Sequence, residues 1–188
     1  MSNNDFNTDL KRSDEINTPI VCKILKKLGY ETVSTNDDNK HDIIIEKNNK
    51  TFHLELKEDL ESEISGNVYV EYESYGKPSG ILSTKADFYL YTVYYKQFSN
   101  IKGHYKLLVT PVETLRKFLI DNAHKYATGV RGGEIDRKTG EKADLGHLMA
   151  IPVFEEGNHI IYDSHLNKGY NSNYFFDELK NNMKCLIR

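Results

Sequence analysis

The chain has 188 residues, 38% of them hydrophobic, and its 25 Lys and Arg against 28 Asp and Glu leave a net charge of −3. That balance excludes a protein coated in positive charge, so any nucleic-acid contact has to be local, and the lack of a run of about 18 apolar residues excludes a membrane-spanning helix. One domain over residues 1–188, with 1–12 as a flexible start, and a cytoplasmic location are expected, because the opening MSNNDFNTDLKRSDE is polar where a signal peptide is apolar.

Ile16, Ile20, Ile24 and Leu28 recur on one helical stripe, and Gly29 stands just past its end, which predicts an amphipathic helix closed by a glycine C-cap. Pro19 conflicts with a helix interior, since it lacks the amide and crowds the preceding turn. Thr18 and Pro19 as N-cap and first residue would remove the conflict and leave the earlier residues to a separate short turn or helix. Cys22 and Cys185 fall in helical patterns without CxxC spacing, and read as reduced thiols rather than as a disulfide or a zinc site.

After STNDDNK, the segments HDIIIEK and TFHLELKED flank the Asn-rich turn NNK and predict a β-hairpin. In its second strand His53, Glu55 and Lys57 share one face, and Phe52, Leu54 and Leu56 share the other. GNVYVEYES repeats the alternation, with Val68, Val70 and Tyr72 opposite Tyr69, Glu71 and Glu73, and ADFYLYTVYY reads as a buried strand. These strands are expected side by side. YKLLVT predicts another strand, and Thr110-Pro111-Val112-Glu113 combines an N-cap, a proline and a capping-box glutamate to open the helix VETLRKFLIDNAHKY. The glycine- and charge-rich ATGVRGGEIDRKTGEKADLGH reads as a mobile loop, LMAIPVF as a strand and SNYFFDELKNNMKCLI as a terminal helix. No internal repeat or dividing linker interrupts this order.

Between Glu55 and Glu73 the chain carries seven acids and one base, Lys57. Such density is the usual mark of a solvated face, and also what a hard divalent cation requires. Asp42 opens one strand of the hairpin and Glu55-Leu56-Lys57 lies in the other. Two carboxylates can hold Mg²⁺ while water fills its remaining positions, and Lys57, on the face of Glu55, can orient or help deprotonate an attacking water. Glu71, deeper in its strand than Glu73, is the next candidate ligand.

Asp42 followed by Glu55-x-Lys57 across a short hairpin, behind a helix with an acidic residue at its start, resembles the PD-(D/E)XK nuclease superfamily. His41 stands where that motif has its proline, a departure that does not touch the carboxylates. The resemblance implies an α/β fold with a restriction-endonuclease-like core, in which a central mixed β-sheet is flanked by helices. It implies Mg²⁺, replaceable by Mn²⁺, and hydrolysis of phosphodiester bonds in duplex or branched DNA. Members similar to archaeal and phage Holliday-junction resolvases carry a glutamate on the first helix, a position matched by Glu15 and less well by Asp14, and the resemblance implies that Glu15 completes the catalytic site. GNVYVEYES, KPSGI, STKADFYLY, VTPVETLRKFL and GGEIDRKTGEKADLGHLMAIPV resemble small phage-type members, so the likeness spans Glu15 to Val153. Relatives that cut two strands with two sites imply a homodimer. Junction resolution, sequence-specific restriction or repair cleavage, and a catalytically silent binding module remain alternatives.

For a grip on DNA the sequence offers Lys77 and Lys85 beside the acidic strand, and Arg131, Arg137, Lys138 and Lys142 in the glycine-rich stretch. From Lys125 to Asp144 five bases face four acids, so that stretch is mixed in charge. His53, as a lone strand histidine, reads as a packing or surface residue, and Asp87 as a loop terminator or the partner of a base.

Overall fold

The computed structural model describes residues 13–35, 42–95, 104–122, 124, 126–130, 144–156, 159–164 and 168–169. A π-helical turn, Ser13–Asn17, leads into α1 (Thr18–Lys27), with Pro19 in the first turn, where its missing amide breaks no helical bond. Gly29 follows the last turn at φ +84°, a conformation that a Cβ would oppose. The buried stripe is Val21, Ile24 and Leu25, whereas Ile16 and Ile20 are 46% and 38% exposed. The stripe is therefore rotated from the expected one: inside α1 it runs through Val21, Ile24 and Leu25 and leaves Ile20 at its edge, and Ile16 lies before the helix on the wider π turn.

In chain order the strands are β1 (Glu31–Thr35), β2 (Ile43–Lys47), β3 (Lys50–Asp59), β4 (Asn67–Ser74), β5 (Lys77–Pro78), β6 (Phe88–Tyr94), β7 (Tyr105–Pro111), β8 (Ala127–Val130), β9 (Asp144–Ala150), β10 (His159–Asp163) and β11 (Lys168–Gly169). The further helices are α2 (Ser62–Ser65), α3 (Val112–Asn122) and α4 (Ile151–Glu156). A mixed sheet runs β1-β2-β3-β6-β7-β10-β11, with β3 and β6 parallel and every other pair antiparallel. A second, antiparallel sheet runs β5-β4-β9-β8.

The mixed sheet is buried on both faces. On one, Phe52, Leu54, Leu56, Phe88 and Leu90 pack with Ile43, Ile45 and the Val21, Ile24 and Leu25 stripe of α1. On the other, Tyr89, Tyr91, Val93 and Leu108 meet Val68 and Val70 of β4, Met149 of β9, Leu115 and Leu119 of α3, and Phe154 of α4. Burying one such aliphatic or aromatic side chain contributes roughly 1.5–3 kcal/mol. The first helix and the VETLRKFL helix thus cover opposite faces of the sheet.

Three expectations are corrected. β4 does not join the strands beside β3; it pairs with β5 and β9 in the second sheet. The crossover between parallel β3 and β6 is the cause, since it must leave the sheet and its apolar Val68 and Val70 face then covers the crossed strands. LMAIPVF divides into the end of β9 and the helix α4, whose Pro152 sits at the second helical position, a place proline tolerates. The stretch expected as a loop begins with β8 and ends in β9, paired from Ala127↔Leu148 to Val130↔Leu145. Residues 131–143 and the expected terminal helix lie outside the described residues. Among the described residues no helix is long and apolar enough to cross a membrane.

Candidate active site

The site begins with a turn. Asn48 and Asn49 stand at φ +52° and +60°, the left-handed pair that a two-residue hairpin turn demands and that asparagine accepts. That turn sets the register Lys47↔Lys50 through Ile43↔Leu54, which leaves Asp42 next to Glu55 at the strand mouth. Asp42 donates its backbone N–H to the Leu54 carbonyl at 2.9 Å, and its carboxylate Oδ2 accepts the Leu56 N–H at 2.7 Å. A one-residue slip would turn Glu55 and Lys57 into the α1 core, so the apolar Phe52-Leu54-Leu56 face also holds the polar face in place.

On that polar face Lys57 Nζ lies 2.9 Å from Glu55 Oε1, with the lysine side chain 40% exposed and the glutamate 15%. Burial pulls the Lys57 ammonium toward deprotonation, but Glu55, and after it Asp42 and Glu71, outweigh that effect and raise its pKa above 10.5. Lys57 is therefore a cation throughout the neutral range. Burial, then Tyr91, then the same three carboxylates push the Tyr89 phenol up, and Tyr89 of β6 pairs in register with Glu55. Asp42, Glu55, Glu71 and Lys57 thus form one electrostatic group.

A loop from Ser79 to Asp87 ties this group to the rest of the fold. Ser79 donates its hydroxyl to Glu71 Oε1 at 2.5 Å, and Thr84 donates its own to Glu55 Oε2 at 3.1 Å. Gly80, at φ +47°, packs so closely on β4 that a Cβ would come within 2.4 Å of the Glu71 carbonyl oxygen. Ile81 is buried in the core between sheet and helix. Arg116 of α3 donates to the Ile81 carbonyl at 2.7 Å and to the Thr84 carbonyl at 2.8 Å, and also pairs with Glu113.

Of the residues singled out in the sequence, Asp42, Glu55 and Lys57 come together, and Glu71, in the other sheet, acts on Lys57 as the weakest of the three carboxylate charges. Glu73, beyond the bulge that separates it from Glu71, pairs in register with Pro78. Glu15 is exposed on the π turn. Two residues on, Asn17 accepts the Thr92 hydroxyl at 3.1 Å, on the sheet face opposite the one that bears Glu55. Lys77 and Lys85 are exposed at either end of the Ser79–Asp87 loop. Arg131, Arg137, Lys138 and Lys142 lie outside the described residues. Asp87 accepts the His53 N–H at 3.0 Å and faces its Nδ1 at 3.3 Å, the partnership of a base that its sequence position suggests.

Thr84, Arg116 and Asp59 went unread in the sequence. Asp59 caps α2 through the Ser62 N–H at 3.0 Å and accepts the Tyr69 N–H at 2.8 Å, joining β3 to β4. The Glu113–Arg116 spacing hints at a helical ion pair, but the carbonyls that Arg116 reaches lie 35 and 32 residues away and leave no local signal.

The donor set is all oxygen, which suits a hard divalent cation. Among the described residues no group of three or more His, Cys, Asp or Glu stands ready to enclose a metal. Asp42 and Glu55 fit the more open arrangement usual for Mg²⁺, in which one or two carboxylates hold the ion and water completes its shell. No protein-family model, curated protein or solved structure matches this chain.

Proposed function

We propose that the chain is a Mg²⁺-dependent endodeoxyribonuclease of the PD-(D/E)XK type, with a restriction-endonuclease-like core and Asp42, Glu55 and Lys57 at its centre. The observation that carries this reading is the hairpin register, which sets Asp42 beside Glu55 and puts Lys57 Nζ 2.9 Å from Glu55 on one face. Asp42 and Glu55 would hold the ion, with Glu71 close enough to share their field. Bound there, Mg²⁺ supplies a Lewis acid for the phosphodiester and lowers the pKa of water.

Lys57 acts as a charge. With its ammonium 2.9 Å from Glu55, it orients or helps deprotonate the attacking water and offsets the negative charge that builds on phosphorus. Water attacks in line: the new P–O bond forms as the bond to the leaving sugar oxygen breaks, the attacking water releases a proton to the solvent and the leaving oxygen takes one up from it, while Asp42 and Glu55 would hold the ion beside the reacting groups. Lys77 and Lys85, exposed beside the site, contact the DNA backbone. Arg131, Arg137, Lys138 and Lys142 extend that grip, and two copies of the chain serve the two strands.

The decisive measurement is cleavage of a labelled four-way junction and of the matching linear duplex with Mg²⁺, Mn²⁺, Ca²⁺ or Zn²⁺ as the only divalent ion. Cleavage with Mg²⁺ and Mn²⁺ but little with Ca²⁺ is expected, since the larger ion tolerates looser geometry. Preference for the junction marks a structure-specific enzyme, and equal or sequence-bound cutting of the duplex a restriction- or repair-type one. DNA binding without cleavage under any of these ions overturns the nuclease reading in favour of a binding module.

A further inference from the structure

We propose that Thr84, held in place by Arg116, is a positioning residue that orients Glu55 for metal binding. The inference rests on the reading of Asp42 and Glu55 as metal-holding carboxylates. Glu55 has two oxygens with different neighbours: Oε1 faces Lys57 Nζ at 2.9 Å and Oε2 accepts the Thr84 hydroxyl at 3.1 Å. A carboxylate held at both oxygens cannot rotate freely, so the pair fixes the plane in which its remaining lone pairs point.

Thr84 is itself fixed. It is 6% exposed, and its Oγ1 accepts the Ala86 N–H at 3.1 Å, which commits the hydroxyl hydrogen to Glu55. Its carbonyl takes one N–H of Arg116 at 2.8 Å, and the Ile81 carbonyl takes another at 2.7 Å. The planar guanidinium therefore spans the loop and ties it to α3, a geometry that a lysine ammonium does not reproduce. Gly80, against the Glu71 carbonyl, closes the loop at its other end. The result is one strap that touches Glu71 through Ser79 and Glu55 through Thr84, with α3 as its anchor. Groups that orient metal-holding side chains from behind typically affect metal affinity or activity by about 10–100-fold.

The test uses the full chain and four variants: Thr84→Val, Thr84→Ser, Arg116→Met and Arg116→Lys. Three quantities are read: Mn²⁺ binding to the protein alone by calorimetry, single-turnover cleavage at saturating Mg²⁺, and the thermal midpoint. Thr84→Val keeps the shape and removes the hydroxyl, so a loss of about tenfold or more in Mn²⁺ affinity is expected, with Thr84→Ser close to wild type. Arg116→Met and Arg116→Lys should weaken Mn²⁺ binding alike. If Thr84→Val binds Mn²⁺ as wild type does, or Thr84→Ser loses as much as Thr84→Val, the hydroxyl does not position Glu55 and the proposal is overturned. A thermal midpoint lowered in the Arg116 variants with Mn²⁺ affinity intact overturns the role of Arg116. Wild-type protein that binds Mn²⁺ yet cuts no DNA defeats the nuclease reading alone, because the affinities of the variants still decide the role of Thr84. Wild-type protein that binds no Mn²⁺ defeats both.

Discussion

Strand β3 presents two faces to the same protein and they are held in different ways. Phe52, Leu54 and Leu56 are at most 7% exposed and their side chains pack in the apolar cluster beneath α1. His53, Glu55, Lys57 and Asp59 are half-buried, and each has a specific partner: Asp87, Thr84, Glu55, and the amides of Ser62 and Tyr69. The apolar face needs volume and the polar face needs partners, because a buried charge without one costs far more than a misfitted methyl group. The comparison separates two kinds of mutational effect, one read in activity and one in stability.

Glu55→Gln should sharpen that separation most. The amide keeps the size of the carboxylate and can still face Thr84, but it removes the charge that a divalent cation needs. Cleavage is expected to fall by about 10³-fold or more, the scale of several kcal/mol of metal stabilisation, while the thermal midpoint stays within a few degrees of wild type. Activity within a few-fold of wild type breaks the assignment. Asp42→Ala should lose cleavage as fully but also some stability, since Asp42 accepts the Leu56 N–H at 2.7 Å.

Lys57→Ala is expected to slow single-turnover cleavage by about 10²–10³-fold, as removal of one donor aimed at developing charge commonly does. DNA affinity and its salt dependence should change little. Lys57→Arg should not restore the rate, because a planar fork replaces a compact charge set 2.9 Å from Glu55. If arginine cuts at near wild-type rate, or if extra protein rescues Lys57→Ala, the lysine serves binding and not chemistry.

On the opposite face, Leu54→Ala leaves a cavity beneath α1. A stability loss of about 2–5 kcal/mol in urea unfolding is expected, with the rate per folded molecule preserved. A variant of unchanged stability that has lost its activity would reverse the roles of the two faces.

The hairpin was legible because its information is local. Alternation assigns the faces of β3, and Asn48-Asn49 supplies the turn that fixes its register. The helix at Val112 was legible for the same reason, since Pro111 and Glu113 mark its start, although Pro111 still belongs to β7 and Thr110 does not cap the helix, its Oγ1 being buried without a hydrogen-bond partner among the described residues. What the sequence hid depends on distant pairing. Nothing in GNVYVEYES tells which sheet β4 joins, because its β9 partners, Asp144 to Ala150, lie far along the chain, the first four of them in a stretch whose glycines and charges read as a loop. The strap was hidden too: Thr84 and Arg116 meet Glu55 and the loop carbonyls across about thirty residues, without periodicity to announce it.

His147 is a case in which burial comes without a partner among the described residues. It lies on β9 with ring centroids 4.9 Å from Tyr72 and 6.1 Å from Tyr126, and its Nδ1 is buried without a hydrogen-bond partner among the described residues. Burial lowers its pKa below the ordinary value of 6.5, because a second ring proton would add charge where no acceptor waits. As pH falls through 6.5 the unfolded chain takes up that proton before the folded chain does, so folding stability drops. Above 6.5 the ring is neutral in both states and contributes nothing to the pH dependence. His147→Phe keeps an aromatic ring between the two tyrosines and removes the titration. Its thermal midpoint, relative to wild type at each pH, should therefore climb from about pH 7.5 down to about pH 5, and the effect should be the smallest of those described, since one neutral histidine is at stake. A difference that stays flat over that range means that His147 takes its proton in the folded state as readily as in the unfolded, and that its apolar setting imposes no cost.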